Sequence, residues 1–203
     1  MIGGKPQLPK NRPIVLYANH HSFHDGYLLW LLVCEMLGRP IVLWMEKWDN
    51  APMFASLGAL PFKPGDQTQR FRTLRETSRR LRDNPDTILI LFPEGELRPP
   101  DSGLGILSTD FEQLARLLPE DVHWLPVALR STWWGEDRPT GLIKIGELTE
   151  LPTGREVADL NRLLAELRQT SPYILENGAG HVVFEGRKSA DERWNLSWLA
   201  PIF

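Results

Sequence analysis

Two stretches of this sequence carry side chains whose types and spacing can do chemistry. The first is Asn19-His20-His21-Ser22-Phe23-His24-Asp25-Gly26, directly after the apolar run Pro13–Ala18. Four residues separate His20 from Asp25, enough for the chain to turn and bring the carboxylate back to the imidazole. A carboxylate that accepts the proton of one ring nitrogen fixes the tautomer and stabilises the imidazolium. The other nitrogen can then take a proton from a substrate hydroxyl. His20 and Asp25 are thus a candidate general base and its orienting group. The same residues also fit Asp25 as a helix N-cap beside a turn histidine. A third reading makes His20, His21, His24 and Asp25 metal ligands. Helical histidine sites need a further ligand from elsewhere, and the remaining histidines are only His123 and His181, so no metal is expected.

The second stretch is Phe92-Pro93-Glu94-Gly95-Glu96-Leu97-Arg98, closing the apolar run Thr87–Phe92. A strand that stops in Pro-Glu-Gly puts a carboxylate and a glycine amide at a sheet edge. That edge is the one holding His20 if the two strands run parallel. A turn with an exposed glutamate fits the same pattern.

The elements that must position these groups follow from hydrophobic periodicity. Runs at Pro13–Ala18, Pro40–Met45, Thr87–Phe92, Trp124–Leu129 and Leu142–Ile145 read as strands, mostly buried on both faces. Between them lie helical patterns at Gly26–Leu37, at Gln67–Arg82 with Phe71, Leu74, Ser78 and Leu81 on one stripe, at Asp110–Leu118 and at Glu156–Arg168. Strand and helix alternate, which predicts an α/β fold with a mixed, largely parallel sheet flanked by helices. The densest breaker cluster, Arg98–Gly105, is a loop inside the domain. Residues 1–186 are expected to form one domain, with a charged and then aromatic tail over 187–203 that docks or lies at an interface.

Composition narrows the function classes. With 203 residues, 42% of them hydrophobic, the chain can bury a core without disulfides, and its single cysteine, Cys34, forms no internal one. This fits a reducing, cytoplasmic setting. A net charge of -3 gives no general attraction to nucleic acid. No export signal is legible. The most apolar segment, Tyr27 to Gly38, is far short of the roughly 20 residues that cross a bilayer. Eight tryptophans are mostly core residues by expectation, with a minority left for a membrane or ligand surface.

Together the two stretches resemble the glycerolipid acyltransferase family. Asn19, His20 and Asp25 match its NH(x)4D block, and Phe92, Pro93, Glu94 and Gly95 match the FPEG of its third block. Gly58-Ala59-Leu60-Pro61-Phe62 lies at the place of the second block, and Leu125-Pro126-Val127-Ala128 looks like the fourth. Where the family's third block continues Thr-Arg-Ser, this chain has Glu96-Leu97-Arg98, one place late for the arginine. Lys63 stands close to the basic end of the second block but out of register.

The resemblance implies transfer of a fatty acyl group from acyl-coenzyme A or acyl carrier protein, as co-substrate rather than cofactor, to a lipid hydroxyl. Lysophosphatidic acid is the leading acceptor. An uncharged acceptor such as a glycosylated terpenoid, or a non-catalytic lipid-binding module, is the alternative. It further implies His20 and Asp25 as catalytic residues, Glu94 and Gly95 in acceptor binding, and Lys63 and Arg98 as cations for an acceptor phosphate. Backbone amides around Asn19–Ser22 or near Gly95 are candidate oxyanion donors. Tyr27, Leu28, Leu31 and Trp44 could line an acyl groove or pack in the core. Peripheral contact with the inner face of the membrane is expected, since acyl substrates reside there.

Overall fold

The computed structural model describes residues 6–50, 52–105, 114, 116–135, 137–150 and 154–186. The expected helix Asp110–Leu118 falls mostly outside the described residues, and the tail 187–203 entirely outside them.

Five β-branched runs and one short segment build a six-stranded sheet: β1 (Ile14–Ala18), β2 (Ile41–Met45), β3 (Ala59–Pro61), β4 (Ile88–Leu91), β5 (His123–Thr132) and β6 (Thr140–Ile145). Their spatial order is β3-β2-β4-β1-β5-β6. The four contacts from β3 through β5 are parallel, and only β5 and β6 pair antiparallel. In register, Ile14 sits between Ile88 and His123. Every residue of β1 and β4 is buried, as strands covered on both faces require.

The longer helices among the described residues are α1 (Asp25–Trp30), which continues over Leu31–Met36 as wider π-type turns, α2 (Gln67–Asp83) and α3 (Glu156–Arg168). Ile14, Leu16, Ala18, Ile88 and Ile90 point to one face and pack with Leu29, Leu32 and Val33 of the α1 segment. Val15, Tyr17, Leu89 and Trp124 point to the other, against Leu81 of α2 and Leu160 of α3. Leu163, Leu164 and Leu167 extend that layer over Ala128 and Leu142.

The inward stripe of α2 differs from the one its apolar residues suggest. Phe71 is 60% exposed, whereas Thr73, Thr77, Ser78 and Leu81 are buried. Two threonine hydroxyls make this affordable: Thr73 donates to the Pro61 carbonyl, and Thr77 accepts from Trp44 Nε1 at 3.0 Å. A buried hydroxyl with a partner carries little penalty.

β3 had no strand signal, being three residues long and ending in proline. It joins the sheet edge because Gly58 lets it approach: Gly58 has φ of +90°, and a Cβ there would lie 2.2 Å from the Ile41 carbonyl oxygen. The glycine of the second block is thus explained by close backbone approach.

Candidate active site

Parallel pairing of β1 with β4 and β5 puts the C-terminal ends of all three at one edge, and both motif segments begin there. Asn19 is fully buried just past β1. Its side-chain oxygen accepts from Leu129 N–H at 2.8 Å and its Nδ2 donates to the Leu129 carbonyl at 2.9 Å, tying the segment to β5.

The chain then wraps around Asp25. One carboxylate oxygen, Oδ2, accepts from the His21 and Ser22 amides, each at 2.7 Å, and from His20 Nδ1 at 3.2 Å. The Asp25 side chain is 1% exposed, so the carboxylate is held by these donors rather than by solvent. Its place in the first turn of α1 adds the favourable field of a helix start. Because an ionised carboxylate only accepts, His20 Nδ1 carries the proton in the neutral ring, and Nε2 presents its lone pair. The imidazole is also stacked on Phe92, with centroids 4.2 Å apart and planes at 19°, so its orientation is fixed from two sides.

Phe92 brings the second segment into place. Gly95, at φ +70°, turns the chain after Pro93-Glu94, and its amide donates to the Phe92 carbonyl at 3.1 Å. The Arg98 amide then donates to the His20 carbonyl at 2.9 Å, joining the two segments directly. The Glu94 side chain is 1% exposed, and its oxygens make no hydrogen bond among the described residues. Burial raises its pKa, partly offset by the Gly105 amide, which lies close but outside hydrogen-bond geometry, and by Arg98 and His20. Arg98 Nε lies 4.0 Å from Glu94 Oε2 and Nη1 3.5 Å from Glu96. His21 has its pKa lowered, chiefly by burial. Among the described residues, the buried side-chain nitrogens and oxygens with no hydrogen-bond partner are His21 Nε2, both Glu94 oxygens and Arg98 Nε. All belong to these two segments. Such concentration of costly groups is typical of surfaces shaped for a substrate.

The edge therefore brings together His20, Asp25, Glu94, Gly95 and Arg98. Lys63 is elsewhere. It follows β3, three strand spacings from β1 and so about 14 Å away across the sheet. Its ammonium is held by Asp49 at 2.6 and 2.8 Å. Of the amides expected as oxyanion donors, those of His21 and Ser22 bond Asp25, and that of Gly95 bonds Phe92. Of the groove candidates, Leu28 packs on the core and Trp44 stacks on Phe62 at 4.3 Å, while Tyr27 is 58% exposed. Phe92 and the Asn19 clamp are the contributors that residue chemistry alone did not reveal. No group of histidine, cysteine and acidic side chains suited to a metal ion occurs among the described residues.

A family model described as Acyltransferase matches residues 2–130, well over half of the chain and both motif segments with it. The chain belongs to this acyltransferase family. That agrees with the resemblance to the glycerolipid acyltransferases, and the six-stranded, mostly parallel sheet with flanking helices is consistent with such a domain. No curated protein matches the acyltransferase chain in a direct comparison. None of its described helices is long and apolar enough to cross a membrane.

Proposed function

We propose that this acyltransferase moves a fatty acyl group from a phosphopantetheine thioester, acyl-coenzyme A or acyl carrier protein, to a hydroxyl of a phosphate-bearing glycerolipid such as lysophosphatidic acid. The observation that carries this reading is the His20–Asp25 pair. Nδ1 is engaged by a buried carboxylate, and the ring is braced on Phe92, so Nε2 serves as the base. The acceptor hydroxyl loses its proton to Nε2 as its oxygen attacks the thioester carbonyl. Asp25 stabilises the resulting imidazolium. Collapse of the tetrahedral intermediate expels the thiolate, which takes the proton back from His20, and no acyl-enzyme is required. With the His21, Ser22 and Gly95 amides engaged, Arg98 is the cation on the Phe92 side of His20 that can face the negative charge developing at the thioester, and Glu94 orients the acceptor.

An uncharged acceptor is the second reading. It is favoured by the neutralisation of Lys63 by Asp49, which removes one of the two cations expected for an acceptor phosphate. The experiment that separates these follows thioester consumption from acyl-coenzyme A alone, with lysophosphatidic acid, and with an uncharged glycolipid alcohol. The proposal expects stimulation by lysophosphatidic acid. In an Arg98→Gln variant kcat/KM for it should fall about tenfold to a hundredfold, the worth of a charged hydrogen bond. Equal consumption with and without acceptors would mean hydrolysis, and none at all would mean a lipid-binding module.

A further inference from the structure

A cleft lies beside the base, on the α3 side of the same edge. His20 turns to Phe92, whereas His21 and Ser22 line this cleft together with Arg130, Ser131, Leu164 and Arg168. Its enclosed space is about 40 Å³, and it opens to solvent at the mouth.

The donors around it share one character. Arg130, near the end of β5, gives Nη1 to the Leu167 carbonyl at 3.0 Å, and Arg168, in the last turn of α3, gives Nη2 to the Pro100 carbonyl at 2.6 Å. Neither guanidinium has a carboxylate partner among the described residues, and no acidic residue lines the cleft. Capping the C-terminal end of α3 accounts for one N–H of Arg130, out of five in each guanidinium.

His21 adds a further donor. The Asn19 amide is oriented by its two bonds to Leu129, so the group it presents to His21 Nδ1 at 3.2 Å is the NH2. Nδ1 must then accept, and the proton of the neutral ring sits on Nε2, which is buried and has no partner among the described residues. Two guanidiniums without a carboxylate partner, with the Ser131 hydroxyl and the buried His21 ring beside them, are chemistry that recognises a phosphate, while the Ser22 hydroxyl is engaged by His24.

We propose that the cleft between Arg130, Arg168 and the His21–Ser22 segment binds a substrate phosphate. The site is separate from Arg98 and Lys63. The inference rests on the acyl-transfer reading, which supplies two sources of phosphate beside His20: the acceptor headgroup and the pantetheine phosphate of the donor.

Calorimetric titration of the whole chain with sn-glycerol 3-phosphate and with 4′-phosphopantetheine, each against its dephosphorylated counterpart, tests the site and identifies the source. One phosphorylated probe should bind and its counterpart should not. Arg130→Gln and Arg168→Gln should each weaken that binding about tenfold to a hundredfold. If Arg130→Gln disturbs α3, Arg168→Gln, at an exposed position, decides alone. Absence of binding by both phosphorylated probes, or unchanged affinity in the folded variants, overturns the proposal. The titration involves no turnover. Phosphate binding without acyl transfer would therefore count against the proposed function only, and transfer with unaltered affinity in the variants against this site only.

Discussion

Replacing Glu94 by glutamine should make the protein more stable and less active. The Glu94 carboxyl is almost wholly buried, its oxygens have no hydrogen-bond partner among the described residues, and the nearest guanidinium nitrogen is 4.0 Å away. An ionised group so placed forfeits hydration for little return, a cost of about 1–3 kcal/mol. Glutamine keeps the shape and removes the charge. At neutral pH it should gain about 1–2 kcal/mol, which for a chain of this size raises the melting temperature by about 2–8 °C. The pH dependence gives the check on cause. Burial raises the folded-state pKa of Glu94 above its unfolded value, so the native protein holds this proton more tightly. The corresponding stability is fully present below the unfolded pKa, about 4.3, and is lost as pH rises through the folded pKa. The advantage of Glu94→Gln should thus be small in acid and grow toward neutrality. Thermal unfolding of both proteins across pH 4–8, with acyl transfer measured alongside, reads this directly. A variant less stable at pH 7, or a difference independent of pH, would refute the reasoning.

Two further substitutions probe how the site is held. Asn19→Ala leaves the buried N–H and carbonyl of Leu129 without their partners and should cost about 2–6 kcal/mol, seen as a large fall in the denaturant midpoint together with lost activity. A midpoint within experimental error of wild type would show that Asn19 does not tie β1 to β5. Gly58→Ala adds a Cβ at φ +90° against the Ile41 carbonyl and should lower the melting temperature by several degrees, for a cost of about 2 kcal/mol or more, while the folded fraction keeps its turnover. An unchanged melt would contradict close approach of β3 to β2.

Much of this architecture was legible because apolar runs and chemistry-bearing residues follow local rules. The β1 and β4 segments are apolar throughout, as strands buried on both faces must be, and Glu156–Arg168 has a clean helical stripe. The α2 stripe departs from its apolar pattern at Phe71, which is exposed although apolar. Thr73 and Thr77 are buried by bonds to Pro61 and Trp44, partners set by tertiary structure. β3 was invisible as a strand because Ala59–Pro61 has neither the length nor the composition of one; it pairs through the glycine before it.

Within the site, the five residues between His20 and Asp25 inclusive of the latter could be seen to allow a carboxylate–imidazole contact. What could not be seen was that the intervening amides of His21 and Ser22 would spend themselves on Asp25. The Asn19–Leu129 bonds and the meeting of Ser22 with Arg130 and Arg168 join positions more than a hundred residues apart. Spacing along the chain carries no signal for such contacts.

The measurement that tests the central claim most directly is the acyl-transfer rate of a His20→Ala protein shown to be folded by its thermal unfolding curve. With no imidazole to take the hydroxyl proton, the rate should fall by at least about a hundredfold, the lower end of what a general base contributes. A folded His20→Ala protein that retained more than about a tenth of the wild-type rate would contradict the assignment of His20 as the base.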